Sequence, residues 1–128
     1  MFGRKSSVGS TGEDFVCNYL KDKGIEIIAR NYRNRLGEID IIARDSDYIC
    51  FVEVKTRTGS SAGFPAESVN RAKQRKISQT ACAYLKQKRL ETANCRFDVA
   101  AVMLNKELKL EDIEYLENAF YLNEKYAY

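Results

Sequence analysis

The feature that most constrains the fold is a pair of apolar segments joined by a short acidic turn. Residues 38–43 and 48–55 are rich in Ile, Val and aromatic side chains, which favour extended backbone. Between them lies Asp45-Ser46-Asp47, a sequence typical of tight turns. This pattern predicts an antiparallel β-hairpin in the middle of the chain.

The spacing of the charged residues in this hairpin decides which face of the sheet carries them. Strand residues alternate between faces, so Glu53 and Lys55 point to the same side. If the turn has two residues and pairs Asp45 with Tyr48, Asp40 lies opposite Glu53. A slip of one residue would place the two carboxylates on opposite faces.

Turn residues and apolar periodicity predict the helices, strands and loops in the rest of the chain. Ser10 or Thr11 is expected to cap a first helix that runs to about Lys23, and Gly24 ends it. Further predicted elements are a strand at 25–32, a basic turn at 33–35, a loop at 56–64, a helix at 67–88, and strands at 95–103 and 108–116. This order predicts an α/β fold, in which a central mixed sheet of about five strands is flanked by helices. Residues 1–11 are expected to form a flexible arm, and residues 12–128 a single domain.

Histidine is absent from the 128 residues, and this absence excludes several classes of site. Histidine-based triads, histidine-metal nucleases and conventional catalytic zinc sites all require it. The four cysteines are scattered without the close pairs of zinc or redox motifs, so they are expected to be reduced and mostly buried. No apolar run is long enough to cross a bilayer and no signal sequence is apparent, so a cytoplasmic location is expected.

Two carboxylates and an ammonium group converge in an apolar setting if the predicted register holds. Charges in such a place cost stability unless they are compensated. Carboxylate oxygens there suit Mg²⁺ or Mn²⁺, which also accept a backbone carbonyl and waters as ligands. The alternatives are a structural ion pair between Lys55 and either Glu53 or Asp40, or exposure of all three side chains to solvent.

The same residues match a known pattern. Gly37-Glu38-Ile39-Asp40 followed by Phe51-Val52-Glu53-Val54-Lys55 resembles the D-x(n)-E-x-K core of the restriction-endonuclease-like, PD-(D/E)XK, superfamily. Nearly the whole chain resembles the YraN family of predicted endonucleases, through Gly12-Glu13, Arg30-Asn31-Tyr32-Arg33, the hairpin, Lys73 and Arg96-Phe97-Asp98-Val99. That family is distantly similar to archaeal Holliday junction resolvases, which have the same order of glutamate, aspartate, glutamate and lysine.

The resemblance implies a metal-dependent endonuclease acting on DNA, with a role for each matching residue. Asp40 and Glu53 would ligate Mg²⁺ or Mn²⁺, with the backbone carbonyl of Val54 as a third protein ligand. Lys55 would orient or help to deprotonate the attacking water and stabilise the charge of the transition state. Glu13 would contribute through a water molecule or a second metal ion.

Several other polar residues have two interpretations. Glu13 could instead complete a capping box at the start of the first helix. Glu38 shares a face with the predicted aspartate ligand, and is either an auxiliary ligand or an exposed charge at the strand edge. Lys73 and Gln74 lie within the apolar arc of the long helix, so they either reach the site or extend past the sheet edge. For Asp98, an ion pair with a neighbouring strand, such as one to an arginine, explains its place in an apolar strand as well as a catalytic role does.

The basic residues suggest a nucleic-acid partner, although the net charge is only +3. Phosphate contacts are assigned to Arg30, Arg33, Arg35, Arg71 and Lys76, with a solvated surface as the alternative. No recognition helix or zinc finger is present, so the shape of branched or single-stranded DNA is a better target than base sequence. Symmetric cutting of two strands would favour a homodimer.

Two other functions fit the same sequence. A nucleic-acid-binding module could keep the metal residues without cutting, and it predicts salt-sensitive DNA binding with no turnover. A protein-interaction subunit could use an exposed sheet edge or the acidic C-terminal region. It predicts that removing the charges of Asp40 and Glu53 stabilises the fold and leaves the partner bound.

Overall fold

The computed structural model describes residues 7–59 and 69–120. In chain order the elements are α1 (Ser7–Asp22), β1 (Glu26–Asn34), β2 (Gly37–Asp45), β3 (Tyr48–Thr58), α2 (Arg71–Gln87), β4 (Asn94–Leu104) and β5 (Leu110–Phe120). They form one five-stranded sheet with the two helices packed against it. The predicted α/β class is confirmed, and the arrangement is consistent with a restriction-endonuclease-like fold.

The strands lie in the sheet in the same order as in the chain, from β1 to β5. Among the described strands, β3 and β4 form the parallel pair, and the other neighbours are antiparallel. A parallel pair needs a crossover connection, and α2 supplies it. The sheet is therefore mixed, as predicted, and β3 occupies its centre.

The hairpin of β2 and β3 has the predicted register. Asp45 pairs with Tyr48 around a two-residue turn, and the ladder continues to Ile41 opposite Val52. Ser46 in the turn has a φ of 56°, the left-handed conformation common in two-residue hairpin turns. The next facing positions are those of the two predicted carboxylates, which therefore lie across from each other.

Each face of the sheet carries its own apolar core. On the α2 side, Phe51 and Phe97 stack with their ring centroids 5.4 Å apart. On the α1 side, Val52 packs with Val16 and other residues of the helix. Because β3 alternates between these cores, Glu53 follows Phe51 onto the α2 side.

The start of the first helix differs from the prediction. α1 begins at Ser7, so Ser10 and Thr11 lie inside it and do not cap it. Residues 7–11 of the predicted flexible arm are thus helical, and residues 1–6 lie outside the described residues. The helix starts early because Val8 packs against the α1-side core, and such burial outweighs the weak helix propensity of Gly and Ser.

Three other boundaries also shift. α2 begins at Arg71, after the N-cap Asn70, and not near residue 67. β3 continues to Thr58 alongside β4, so the predicted loop begins later, and residues 60–68 lie outside the described residues. β1 runs on to Asn34, which reduces the predicted basic turn to two residues.

Two glycines allow the helices to approach the sheet closely. A Cβ atom added to Gly12 of α1 would clash with Oγ1 of Thr56 on β3. A Cβ atom added to Gly37, at the start of β2, would lie 2.7 Å from Oγ1 of Thr80 on α2. The small residues therefore hold α1 against β3, and the β1–β2 turn against α2.

The cysteines match the prediction of buried, free thiols. Cys17, Cys50 and Cys82 are buried, and Cys95 is partly buried. Burial raises the pKa of each thiol, and that of Cys50 to about 12, so none is a good nucleophile. In the part of the chain that the structure describes, no helix combines the length and apolar character needed to cross a bilayer.

Candidate active site

The hairpin brings Asp40 to the end of the β2–β3 ladder. The residue is 5% exposed, and its Oδ2 accepts a hydrogen bond of 2.8 Å from the backbone N–H of Val54. This hydrogen bond lies just beyond Ile41 and Val52, where the regular pairing of the two strands ends. It holds one carboxylate beside Val54, the residue whose carbonyl the resemblance implies as a ligand.

Glu53 meets two ammonium groups on the α2 side of the sheet. Nζ of Lys73, from α2, lies 2.6 Å from Oε2 of Glu53, and Nζ of Lys55 lies 3.9 Å from the same oxygen. Glu53 is 7% exposed, whereas the Lys73 side chain is 46% exposed. The structure thus brings Glu53 and Lys55 together, and Lys73 reaches the cluster and does not extend past the sheet edge.

Burial and mutual charge act strongly on these groups. Burial raises the pKa of Glu53 and the charge of Asp40 raises it further, while Lys73 and Lys55 oppose this change. Burial lowers the pKa of Lys55, and the charge of Lys73 acts in the same direction. The cluster therefore contains a carboxyl that resists ionisation next to an amine that resists protonation.

The donor set of this cluster fits Mg²⁺ or Mn²⁺. Within residues 7–59 and 69–120, no group of three carboxylates, thiols or imidazoles lies close enough to hold a metal ion. Mg²⁺ does not need one, because it is usually bound by one or two carboxylates and keeps several waters or substrate phosphates. A divalent cation between Asp40 and Glu53 would also relieve their repulsion. The two carboxylates therefore fit a magnesium site that substrate and water complete.

Glu13 is buried within α1 and does not complete a group of three with the other two carboxylates. It is 2% exposed, and its Oε1 lies 3.7 Å from Nη2 of Arg30. The capping-box interpretation is wrong, because α1 begins at Ser7 and Glu13 lies in its second turn. A role through water or a second metal ion stays a prediction.

The structure leaves Glu38 and Gln74 at the margin of the cluster. Glu38 is exposed near the start of β2, and its Oε2 pairs with Nη2 of Arg33 at 2.7 Å. Nε2 of Gln74 donates to the backbone carbonyl of Val69 at 2.8 Å, so this amide group ties down the start of α2. The exposed interpretation of Glu38 is confirmed, and neither residue has a described contact with Glu53.

Asn70, a residue that no sequence motif had singled out, decides how α2 presents Lys73. Oδ1 of Asn70 accepts a hydrogen bond of 2.9 Å from the backbone N–H of Lys73. This cap sets where the helix begins and hence which of its residues face the sheet. The signal was present, because Asn is a preferred N-cap and stands directly before a run of good helix formers, Arg71-Ala72-Lys73-Gln74.

The residues predicted to contact phosphate divide into two groups. Arg33, Arg35 and Lys76 line one cavity of about 320 Å³ at the β1–β2 turn. Arg30 instead pairs with Asp14 of α1 at 2.9 Å, and Arg71 is exposed at the first residue of α2. The structure thus gathers three of the five cations, and contact with DNA stays a prediction.

Asp98 belongs to a second buried polar cluster, on the α1 side of the sheet. It is completely buried, and Nε of Arg96 donates to both of its oxygens, at 3.2 and 3.1 Å. The hydroxyl of Tyr115 and the backbone N–H of Asn118 donate to the same carboxylate, at 2.6 and 3.0 Å. The expected ion pair with an arginine is confirmed, but its partner lies two residues earlier on β4 itself and not on a neighbouring strand. The contact of Tyr115 with Asp98 was not predicted, because the sequence of β5 is polar and typical of a mostly exposed strand.

Comparison with known proteins gives consistent matches over most of the chain. The profile of a family described as "Uncharacterised protein family UPF0102" matches residues 12–102. A UPF0102 protein of Lachnoclostridium phytofermentans is 50% identical over 117 residues, which cover 91% of this chain and 94% of that protein. UPF0102 proteins of Clostridium acetobutylicum and Dictyoglomus thermophilum are 47% and 44% identical, covering 88% of this chain and 92% and 96% of their own lengths.

Proposed function

The chain belongs to the uncharacterised protein family UPF0102, and we propose that it is a Mg²⁺- or Mn²⁺-dependent endonuclease that hydrolyses phosphodiester bonds in DNA. One observation carries this proposal. Asp40, Glu53, Lys55 and Lys73 meet at one end of the β2–β3 hairpin, where the two carboxylates are almost fully buried and the lysine side chains are partly open to solvent.

The electrostatics of this cluster favour a functional role over a structural one. The pKa of Glu53 is raised by burial and by Asp40, even with Lys73 2.6 Å away. A carboxylate placed only for stability would be expected to have its charge fully compensated by protein groups. Shifted pKa values in a partly open cluster are typical of catalytic and metal sites.

The residues would divide the work of hydrolysis among them. Asp40 and Glu53 would hold the metal ion together with the carbonyl of Val54. When bound, the ion would polarise the scissile phosphate and supply an activated water. Asp40 is positioned for this by the N–H of Val54, which donates to its Oδ2 at 2.8 Å.

The two lysines would act on the substrate side of the site. Lys55 lies within reach of Glu53 and has a lowered pKa, so its amine can accept a proton from water or orient it. Lys73 is more exposed and keeps its charge, because the hydrogen bond and charge of Glu53 outweigh the effect of burial and raise its pKa. It would stabilise the negative charge that develops on the phosphate.

The proposed substrate is DNA with branched, single-stranded or otherwise irregular structure. The three cations of the β1–β2 turn cavity, Arg33, Arg35 and Lys76, would contact its phosphates. No described element projects as a recognition helix, so shape would guide binding. A homodimer would allow two strands to be cut symmetrically.

The test is incubation of the full chain with plasmid, flap, four-way-junction and single-stranded DNA, in Mg²⁺, in Mn²⁺ and in EDTA. The wild type should cut at least one substrate in either metal and none in EDTA. Asp40→Asn and Lys55→Ala should lower the rate by a factor on the order of 10³, while their circular dichroism spectra stay unchanged. Equal nicking by the wild type and both variants would refute the proposal.

A second candidate is a DNA-binding module that does not cut. The tight ion pair between Lys73 and Glu53 favours it, because that pair already compensates one of the two carboxylates. This candidate predicts that the wild type and Asp40→Asn bind junction DNA equally in Mg²⁺, with affinity that falls as salt rises and without products.

A further inference from the structure

A cavity of about 360 Å³ lies beside the Glu53–Lys73 pair, between the β1–β2 turn and the start of α2. Its lining is mostly apolar and consists of Gly37, Glu38, Ala72, Lys73, Lys76 and Ile77. Lys73 lines this cavity and also contacts Glu53, with Nζ 2.6 Å from Oε2. A group that fills the cavity therefore lies next to the proposed active site.

The basic cavity at the β1–β2 turn adjoins this apolar one. Gly37, Glu38 and Lys76 line both of them, so the two share a wall. Arg33, Arg35 and Lys76 bring three positive charges to the basic cavity, and Glu38, which pairs with Arg33 at 2.7 Å, brings one negative charge. The result is an apolar space next to the candidate active site and a cationic space beyond it.

The walls of both cavities are held in place by the fold. Oδ1 of Asn34 accepts the backbone N–H of Leu36 at 2.8 Å, and Nδ2 of Asn34 donates to the carbonyl of Thr80 on α2 at 3.4 Å. Ile77, which lines the apolar cavity, is 5% exposed and belongs to the α2-side core. A ligand would thus enter a largely preformed site and would not have to order it.

We infer that the two cavities together hold one unpaired nucleotide of the substrate, with its base in the apolar cavity and the neighbouring phosphates against Arg35 and Lys76. The inference rests on the proposed function for its choice of a nucleic-acid ligand. A nucleotide combines an apolar, flat base with an anionic backbone, which matches an apolar space beside a cationic one. A base within a duplex is stacked and paired, so it enters such a pocket only when it is unpaired or extruded.

The substrate class that follows is DNA with at least one unpaired nucleotide near the scissile bond, such as a flap, a gap or a bulge. Perfect duplex DNA would contact the cationic surface but leave the apolar cavity empty. Lys73 would then mark the boundary between the site that binds the base and the site that reacts. Specificity for irregular DNA would thereby come from the pocket and not from sequence readout.

The experiment fills the pocket and removes the base in the same assay. Ala72 is exposed on α2, so Ala72→Leu would occupy the apolar cavity while keeping a good helix former. The matched control is Ala83→Leu, which lies near the same helix face but roughly 16 Å further along α2, away from both cavities. Binding is measured in EDTA by fluorescence anisotropy, with duplexes that carry one unpaired adenosine or one abasic residue at the same position.

The wild type and Ala83→Leu should bind the unpaired adenosine about tenfold more tightly than the abasic residue. Ala72→Leu should lose this preference and bind both duplexes with the affinity that the wild type has for the abasic one. A preference retained by Ala72→Leu, no preference in the wild type, or no binding at all would overturn the inference.

The readout is independent of cleavage, because EDTA removes the metal ion. A protein that prefers the unpaired base in EDTA but cuts nothing in Mg²⁺ or Mn²⁺ would support the pocket and overturn the proposed function. A protein that cuts DNA but shows no preference for the base would support the proposed function and overturn the pocket.

Discussion

Two clusters of buried charge lie on opposite sides of the same sheet, and they are compensated to different degrees. In the core cluster of Arg96, Asp98 and Tyr115, the carboxylate of Asp98 accepts bonds from Arg96, Tyr115 and a backbone N–H. In the site cluster of Asp40, Glu53, Lys55 and Lys73, burial raises the pKa of Glu53 and the charge of Asp40 raises it further.

The shifts in pKa express this difference. In the core cluster, burial alone would lower the pKa of Arg96, but Asp98 and the other acidic neighbours overcome it and raise the value. Burial and Asp98 together raise the pKa of Tyr115, so its hydroxyl stays a donor. In the site cluster the shifts of Glu53 and Lys55 both oppose the charged forms. In the first cluster the carboxylate is compensated by protein donors, whereas the second cluster would be completed by an added cation.

Removing a cation from each cluster should therefore have very different effects on stability. Arg96→Met leaves the carboxylate of Asp98 fully buried without its main partner, and we expect a loss of about 3–5 kcal/mol in the free energy of unfolding. Lys55→Met should change it by less than about 1 kcal/mol, because Lys55 is partly exposed and repelled by Lys73. Urea denaturation measures both, and equal losses would show that the two clusters do not differ in this way.

A divalent cation should stabilise the protein through one cluster only. Mn²⁺ at about ten times its dissociation constant should add about 1.4 kcal/mol to the free energy of unfolding of the wild type. Asp40→Asn should lose this response. Tyr115→Phe, which weakens the core cluster, should keep it in full. The measurement is thermal unfolding with and without Mn²⁺, and a response that survives in Asp40→Asn would place the ion elsewhere.

The smallest predicted effect is the change in the free energy of unfolding when the charge of Glu53 is removed from the metal-free protein. Because the folded-state pKa of Glu53 is raised above its unfolded value, its contribution to stability is present at acidic pH and is lost as pH rises through the folded pKa. Glu53→Gln should thus stabilise the metal-free protein by about 1 kcal/mol at neutral pH, and this gain should shrink on acidification. Asp98→Asn serves as the contrast, because it should destabilise the protein. Urea denaturation across the acidic range checks both signs, and a gain that grows on acidification would contradict the assigned direction.

The comparison also shows which parts of the site could be predicted from the sequence. Asp40, Glu53 and Lys55 are within one hairpin, so strand alternation and a two-residue turn were enough to place them together. Lys73 was only one of two candidates on its helix. Its contact with Glu53 depends on the rotation of α2, which the N-cap Asn70 and the apolar core set together.

The helix starts were less predictable for the same reason. Ser10 and Thr11 look like caps, yet α1 begins at Ser7 because Val8 finds a place in the core. Glu13 therefore does not form a capping box, and it is a buried residue near Arg30. Local propensity predicted that the helix would start after Ser10 or Thr11. Burial of Val8 against strands from elsewhere in the chain placed the start at Ser7.

The sequence by itself determined that two acidic residues and a lysine would stand on neighbouring positions of one hairpin, because backbone alternation and turn geometry act over a few residues. Only the tertiary structure decided that Glu53 would be buried, that Lys73 would reach it, and that an apolar cavity would lie beside this pair. Burial and charge compensation come from side chains that are distant in the chain. Their effect therefore exists only once the helices have packed on the sheet.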